Sequence, residues 1–419
     1  MKFHDFDLHD DILDALYDMG FDEPTEVQKN TIPIILEGHD LIGCAQTGTG
    51  KTAAFMLPII EKVSQLEAGK TRALIVVPTR ELAIQIEQQV QGFSYYAGTT
   101  SCAIYGGGDG KEWEEQRAAL EKGVDIIVAT PGKLISFIDN EIANLKQVEY
   151  VVLDEADRML DIGFHDDIIR IFSHLPQQRQ TLMFSATMPP KIRQLAAKVL
   201  TNPKEFATAI SKPAEGVLQA AYVCHEEQKV PLLTQLITGK DDCQSIIVFS
   251  STKRKVNTIV RALQKKKLDA QGISSDLEQK EREEVLMKFR ARQTRILVAT
   301  DVLSRGIDIK DINLVVNFDV PGDAEDYVHR IGRTARANTT GIALTFVNQE
   351  DMFKFQQIES LIESEVFKAP LPPELGEGPE WKVIEKRKGK KKRNFKRNNN
   401  QNNNNKQGGK PRFQPKKQN

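Results

Sequence analysis

Three groups of residues in this chain have the types and spacing needed for phosphate chemistry. In Ala45-Gln-Thr-Gly-Thr-Gly-Lys-Thr52, Gly48 and Gly50 leave the backbone free to wrap an anion. The amides of Thr47, Gly48, Thr49 and Gly50 can then cradle phosphates at the start of a helix beginning near Lys51. Lys51 would neutralise β- and γ-phosphate charge, and Thr52 would place its hydroxyl on magnesium. The strict P-loop string wants glycine where Ala45 stands. Asp154-Glu-Ala-Asp157 follows the apolar run Tyr150–Leu153, which puts Asp154 at the C-terminal end of a strand, where open α/β sheets bind ligands. Asp154 suits a magnesium ion held through its water shell, and Glu155 suits positioning or deprotonating an attacking water. Far downstream, Arg333 and Arg336 stand three apart, which on one helical turn points both guanidinium groups the same way. Singly, these are a glycine-rich turn, an exposed acidic turn and a surface charge stripe. In this order along one chain they imply ATP chemistry at a domain interface.

The elements that must position them are legible as short apolar runs. Ala73-Leu-Ile-Val-Val77, Asp125-Ile-Ile-Val128, Tyr150–Leu153 and Thr181-Leu-Met-Phe184 are continuously apolar, as in a parallel sheet covered on both faces. Between them lie amphipathic stretches such as Glu81 to Val90, with Leu82, Ile86 and Val90 every four residues. The pattern restarts after Pro203 with Ile246–Phe249, Arg295–Val298, Leu314–Val316 and Ile342–Phe346. This alternation predicts an α/β protein of two domains, each a mostly parallel sheet covered by helices. The expected organisation is residues 1–208, a polar linker at 209–217, residues 218–367, and a tail at 368–419. In the tail, prolines stop regular structure and Lys, Asn, Gln and Gly are too polar to order it.

Composition sets outer bounds. The 419 residues are 40% apolar and 27% charged, ordinary for a globular protein with a large core. The net charge of −1 conceals an asymmetry: Lys386 to Asn419 holds 14 Lys and Arg and no Asp or Glu, which leaves −15 on residues 1–385. With Phe395 and Phe413, that tail suits electrostatic attraction and base stacking on a nucleic acid. The start Met1-Lys2-Phe3-His4-Asp5 is not leader-like, and no run approaches the roughly 20 apolar residues of a membrane span. A cytoplasmic location without membrane association is expected. Cys44, Cys102, Cys224 and Cys243 form no CxxC pair and read as free thiols. No long apolar heptad suggests a coiled coil, so a monomer is expected.

Together with Ser185-Ala-Thr187, His329-Arg-Ile-Gly-Arg-Thr-Ala-Arg336 and Gln28 after Gly20-Phe21, these motifs resemble the DEAD-box RNA helicases from about Phe3 to about Val366. The resemblance implies two RecA-like domains and an ATP-dependent RNA helicase with ATP and Mg2+ as cofactors. It implies that Gln28 reads the adenine edge, with Phe3 stacking on the ring and Thr25 supporting the loop. Asp308 would hold the ribose, and His329 would lie near Asp157 and the Ser185–Thr187 loop as a coupling group. It also implies a sequence-independent RNA-backbone track of Arg80, Gly106, Gly107, Thr130, Gly132 and Lys133 in the first domain, with Gln279, Arg282, Thr300, Arg305 and Gly306 in the second. Lys133 replaces the arginine commonest at its position and Ala335 a frequent glycine. Two other readings stay open, an ATP-gated RNA clamp or scaffold with slow turnover and a DNA translocase. The physiological RNA and any ribonucleoprotein, RNA-decay or ribosome-assembly partner also stay open.

Overall fold

Each of these apolar runs becomes a short strand whose alternate residues enter different cores. Ile75, Val128, Val152 and Leu182 pack into one cluster with Phe55, Ile86 and Phe93, while Leu74, Val76, Ile127, Val151 and Met183 pack into another with Leu134, Ile168 and Leu195. Helices therefore cover both faces, which is why the strands read as continuously apolar rather than alternating. Each fully buried Val, Leu or Ile side chain is worth about 1.5–3 kcal/mol relative to exposure, so strands of four residues are held firmly.

The computed structural model describes residues 1–45, 48–107, 110–207, 216–240, 243–274, 276–300, 312–334 and 341–382. Among them, the first sheet holds β1 (Leu41–Cys44), β2 (Ala73–Val76), β3 (Ser101–Ile104), β4 (Ile126–Ala129), β5 (Tyr150–Leu153), β6 (Gln180–Ser185) and β7 (Lys204–Ala207). The second holds β8 (Val217–Val223), β9 (Ile246–Phe249), β10 (Ala270–Ile273), β11 (Ile296–Ala299), β12 (Leu314–Asn317), β13 (Gly341–Val347) and β14 (Phe367–Ala369). The strand orders are β3-β4-β2-β5-β6-β1-β7 and β10-β11-β9-β12-β13-β8-β14. Every pairing in both sheets is parallel. The second order repeats the first strand for strand, and the α/β expectation is met.

In a parallel sheet every loop leaving a strand's C-terminal end emerges at one edge, and the strand order divides that edge in the first sheet. The neighbours β5, β6 and β1 lead into Asp154, Ala186 and Ala45, while β3, β4 and β2 lead into Tyr105, Thr130 and Val77. Phosphate-type motifs and track-type motifs thus occupy adjoining halves of one edge.

The expected end of regular structure at Phe367 is too early. Phe367–Ala369 adds a parallel strand beside β8, a 3-10 turn follows at Pro373–Leu375, and Trp381 packs edge-on to Phe355 at 6.1 Å. Prolines are compatible with this path because an edge strand needs few backbone donors. Val217 already belongs to β8. The rest of the expected linker from 209 to 215, the basic tail, Thr47, Arg305, Gly306, Asp308 and Arg336 lie outside the described residues. No helix among the described residues is long and apolar enough to cross a membrane. Cys44, Cys102 and Cys224 are buried and Cys243 half-buried, all as free thiols, and burial pushes Cys102 and Cys224 up to about 12.

Candidate active site and nucleic-acid interface

The helix Lys51–Ser64 starts directly after Gly50, which takes the left-handed conformation at φ 88°. A side chain there would be strained, and its Cβ would lie 2.5 Å from Gln28 Nε2 and 3.1 Å from Thr25 Oγ1. That contact is used: Gln28, almost fully buried, donates through Nε2 to Gly50 O at 3.0 Å and accepts from Thr25 N at 2.8 Å. Thr25 caps the helix Glu26–Leu36 by accepting from Gln28 N, closing a capping box. One amide hydrogen and spare acceptor capacity remain on Gln28 for a ligand. Lys51 is buried and donates to Ala45 O at 2.8 Å, across the loop. Thr52 follows it, half-buried. Phe3 serves the core, its ring buried against Phe6 and Phe21 at 6.2 and 6.3 Å.

Asp154 leaves β5 only 3% exposed, and its Oδ1 accepts from Glu155 N at 2.9 Å. Glu155 is held at φ 52°, ψ 49°, a left-handed conformation costing a non-glycine residue about 1–2 kcal/mol. Burial raises the pKa of Asp154 against the opposing pull of Lys51. Burial and then the Asp154 charge raise Glu155, opposed by Lys51 and by Arg333 from the second half of the chain. Asp157 anchors the loop after β6. Its Oδ2 accepts from Ala186 N at 3.1 Å, Thr187 N at 2.9 Å and Thr187 Oγ1 at 3.0 Å, while Ser185 Oγ accepts from Asp157 N and donates to Thr187 O at 2.7 Å. Lys51, Glu155, Asp157 and Thr187 line a cleft of about 500 Å³ whose opposite wall carries Asp323, Asp326 and His329.

That wall is the helix Ala324–Ile331 with its preceding residue. The buried Arg330 fixes it, donating to Asn317 Oδ1 at 3.1 Å and Asp319 O at 2.8 Å above the Phe249 ring. Of the expected pair, Arg333 is among the described residues and Arg336 is not. The helix ends at Ile331, Gly332 caps it, and Arg333 sits in a following turn, its N–H bonded to Arg330 O. Arg333 is 6% exposed, and its positive charge opposes the rise in the Glu155 pKa.

On the other half of the edge, carboxylates on helices from both halves hold Arg80, Arg282 and Gln279. Arg80 lies on the Tyr105 ring, makes a two-pronged contact to Glu112 at 2.8 and 3.1 Å, and reaches Glu283 at 2.7 Å. Arg282 reaches Glu81 at 3.1 Å, and Gln279 donates to Glu283 at 3.0 Å and to Glu81 at 3.5 Å. The Nε groups of Arg80 and Arg282 are buried with no hydrogen-bond partner. Gly106 and Gly107 are exposed in the turn after β3. Thr130 stands at the N-cap position of the helix Pro131–Asp139, Gly132 is exposed, and Lys133 rests 4.9 Å over Phe137. Thr300 follows β11, half-buried.

Against known families, the DEAD/DEAH box helicase model matches residues 25–195 and the helicase conserved C-terminal domain model matches 228–338. The chain is 43% identical to the DEAD-box ATP-dependent RNA helicase CshA of Geobacillus kaustophilus, over 92% of this chain and 82% of that protein. It belongs to the DEAD-box ATP-dependent RNA helicase family. The CshA of Bacillus subtilis is 41% identical over 92% of this chain and 78% of its own length. Among solved structures, Saccharomyces cerevisiae Dbp5 bound to RNA and ADP BeF3 matches with TM-score 0.79 and 30% identity, covering 88% of this chain and 95% of that one. Both sheets therefore have the RecA-like fold of the DEAD-box proteins.

Within this DEAD-box chain, sequence reasoning missed the carboxylates Glu81, Glu112 and Glu283, whose partners are remote in sequence. It also missed Asp319. Burial raises that carboxyl, but Lys229 and then Lys255 overcome the effect and hold it well below the usual carboxylate range. Asp319 binds Lys229 at 3.0 Å, Lys255 at 2.7 Å and Ser251 N at 2.8 Å, so it ties the end of β9 to the end of β12. The only available signal was an acidic residue just after an apolar strand, the signal used for Asp154.

Proposed function

We propose that this protein binds ATP and single-stranded RNA across the cleft between its two sheets, unwinds RNA duplexes locally or remodels ribonucleoproteins, and resets by hydrolysing ATP to ADP and phosphate. The observation that carries the reading is the cleft where Lys51, Glu155 and Asp157 of one half face His329 of the other. Lys51 would exchange its bond to Ala45 O for phosphate oxygens. Gln28, tied to Gly50 O, would report adenine to the phosphate loop. Glu155 would orient or deprotonate the attacking water, and Arg333, with Arg336, would stabilise charge developing on the transferred phosphoryl group. Asp157 would pass the state of the acidic segment to Ser185 and Thr187.

Asp154 and Thr52 would hold Mg2+. A buried carboxylate disfavoured by burial suits a hard cation, and such ions take one or two carboxylates plus substrate phosphates and water. When bound, the ion supplies charge neutralisation across the phosphates.

For RNA, backbone phosphates would replace the carboxylates of Glu81, Glu112 and Glu283 on Arg80 and Arg282, since the guanidinium fork fits both anions. Closure on one strand would distort it and displace its partner. ATP hydrolysis should be compared without nucleic acid, with single-stranded RNA and with DNA of matching sequence. Strong stimulation by RNA alone, lost in Lys51→Ala, is expected. Equal stimulation by DNA would sink the RNA-specific reading, and no stimulation with long-lived RNA complexes would favour the clamp.

A further inference from the structure

The start of the chain and the end of the helix Arg80–Phe93 meet on a face of the first half that the nucleotide and RNA readings do not use. Among the described residues, the exposed large hydrophobic side chains include Tyr17 at 83%, Met19 at 39%, Tyr95 at 75% and Tyr96 at 47%. Met19, Tyr95 and Tyr96 belong to one surface with Asp18, and Tyr17 adjoins it as the neighbour of Asp18 in the helix Asp10–Asp18. Tyr96 OH donates to Asp18 Oδ2 at 2.6 Å, the Tyr95 and Tyr96 rings stand edge to face at 5.0 Å, and Met19 is close enough to Gly92 to meet a Cβ there at 2.9 Å. Phe21 stacks edge-on to the buried Phe93 at 5.4 Å beneath it, so the platform is anchored in the core.

A group of three tyrosines and a methionine has the composition of contact surfaces. Charge selects what it would contact. From Asp5 to Glu26 the sequence holds nine Asp and Glu and no Lys or Arg, and Glu87 is the only charged residue from 87 to 98. Asp14 and Asp18 both act on Tyr96. RNA is repelled by such a surface. A second copy meeting it face to face would set carboxylates against carboxylates. Lysine and arginine side chains satisfy both features at once, pairing with the aspartates and lying over tyrosine rings.

We propose that the face formed by Asp14, Tyr17, Asp18, Met19, Tyr95 and Tyr96 docks an extended Lys/Arg-rich segment of another protein. A helicase acting on protein-bound RNA would thereby grip a basic arm separately from the RNA.

The test uses the full chain and a fluorescein-labelled Arg-Lys-Ser repeat peptide, read by anisotropy at moderate salt. Saturable binding is expected, weakened about tenfold or more in Tyr17→Ser/Tyr95→Ser and in Asp14→Asn/Asp18→Asn, with cooperative melting retained in both. A repeat with Gln in place of Arg and Lys should not bind. Equal affinity in wild type and both variants would overturn the assignment. A photo-crosslinking benzoylphenylalanine at position 95 separates the occupants. Crosslinks to the added peptide support the proposal, whereas crosslinks only to residues 386–419 of the same chain, or to a second copy, refute it.

Discussion

Asp154 and Glu155 stand in a pocket that disfavours charge, and burial is the leading cause of the raised pKa of each. Each holds its proton to higher pH when folded than when unfolded. Their contribution to stability is therefore complete below the ordinary carboxylate range and is lost as pH rises through the raised values. Asp154→Asn keeps the acceptor for Glu155 N and removes the charge. Its thermal midpoint should exceed wild type by a few degrees at neutral pH, the gap closing toward about pH 4. A gap independent of pH would rule out charge as the cause. Glu155→Gln should lower ATP hydrolysis by about 10²–10⁴-fold with ATP binding retained. Unimpaired turnover would remove Glu155 from the water-activating role.

At the scale of elements, the strand-to-helix turn around Gly50 is where stability and binding coincide. Gly50→Ala places a Cβ in the left-handed region and against Gln28 Nε2. It should cost about 1–3 kcal/mol in chemical denaturation and weaken ATP binding at least tenfold. An alanine variant that melts and binds like wild type would mean the Gln28–Gly50 contact carries nothing. This element was legible in outline, because the acidic and arginine motifs downstream turn a glycine-rich turn before a helix into a phosphate loop. The strands Ala73–Val76, Tyr150–Leu153 and Ile246–Phe249 were legible for the same reason, being apolar on both faces. The strands Ser101–Ile104, Lys204–Ala207 and Phe367–Ala369 were not. They lie at or beside sheet edges, are four residues or fewer, and carry polar side chains, so no period separates them from loops.

Over the whole molecule, the cross-sheet ion pairs are what the sequence concealed. Glu81 and Arg282 lie in different halves, and nothing local marks them as partners. Glu81→Arg should enlarge the radius of gyration by small-angle scattering, and adding Arg282→Glu should restore it. A radius unmoved by the single reversal would mean that these pairs do not hold the sheets together. Pairs this enclosed, with side chains 16% and 11% exposed, should couple by about 0.5–3 kcal/mol in a double-mutant cycle. The chain also has only two tryptophans, and they are divided between the halves. Trp113 stacks on Phe137 at 6.0 Å beside Arg117 and Lys133, and Trp381 packs on Phe355 beneath Lys368. Each half thus carries its own fluorophore in a distinct cationic and aromatic setting. Replacing either indole with phenylalanine leaves an optical signal that reports on one half alone, so the order in which the two halves unfold can be followed without an added label.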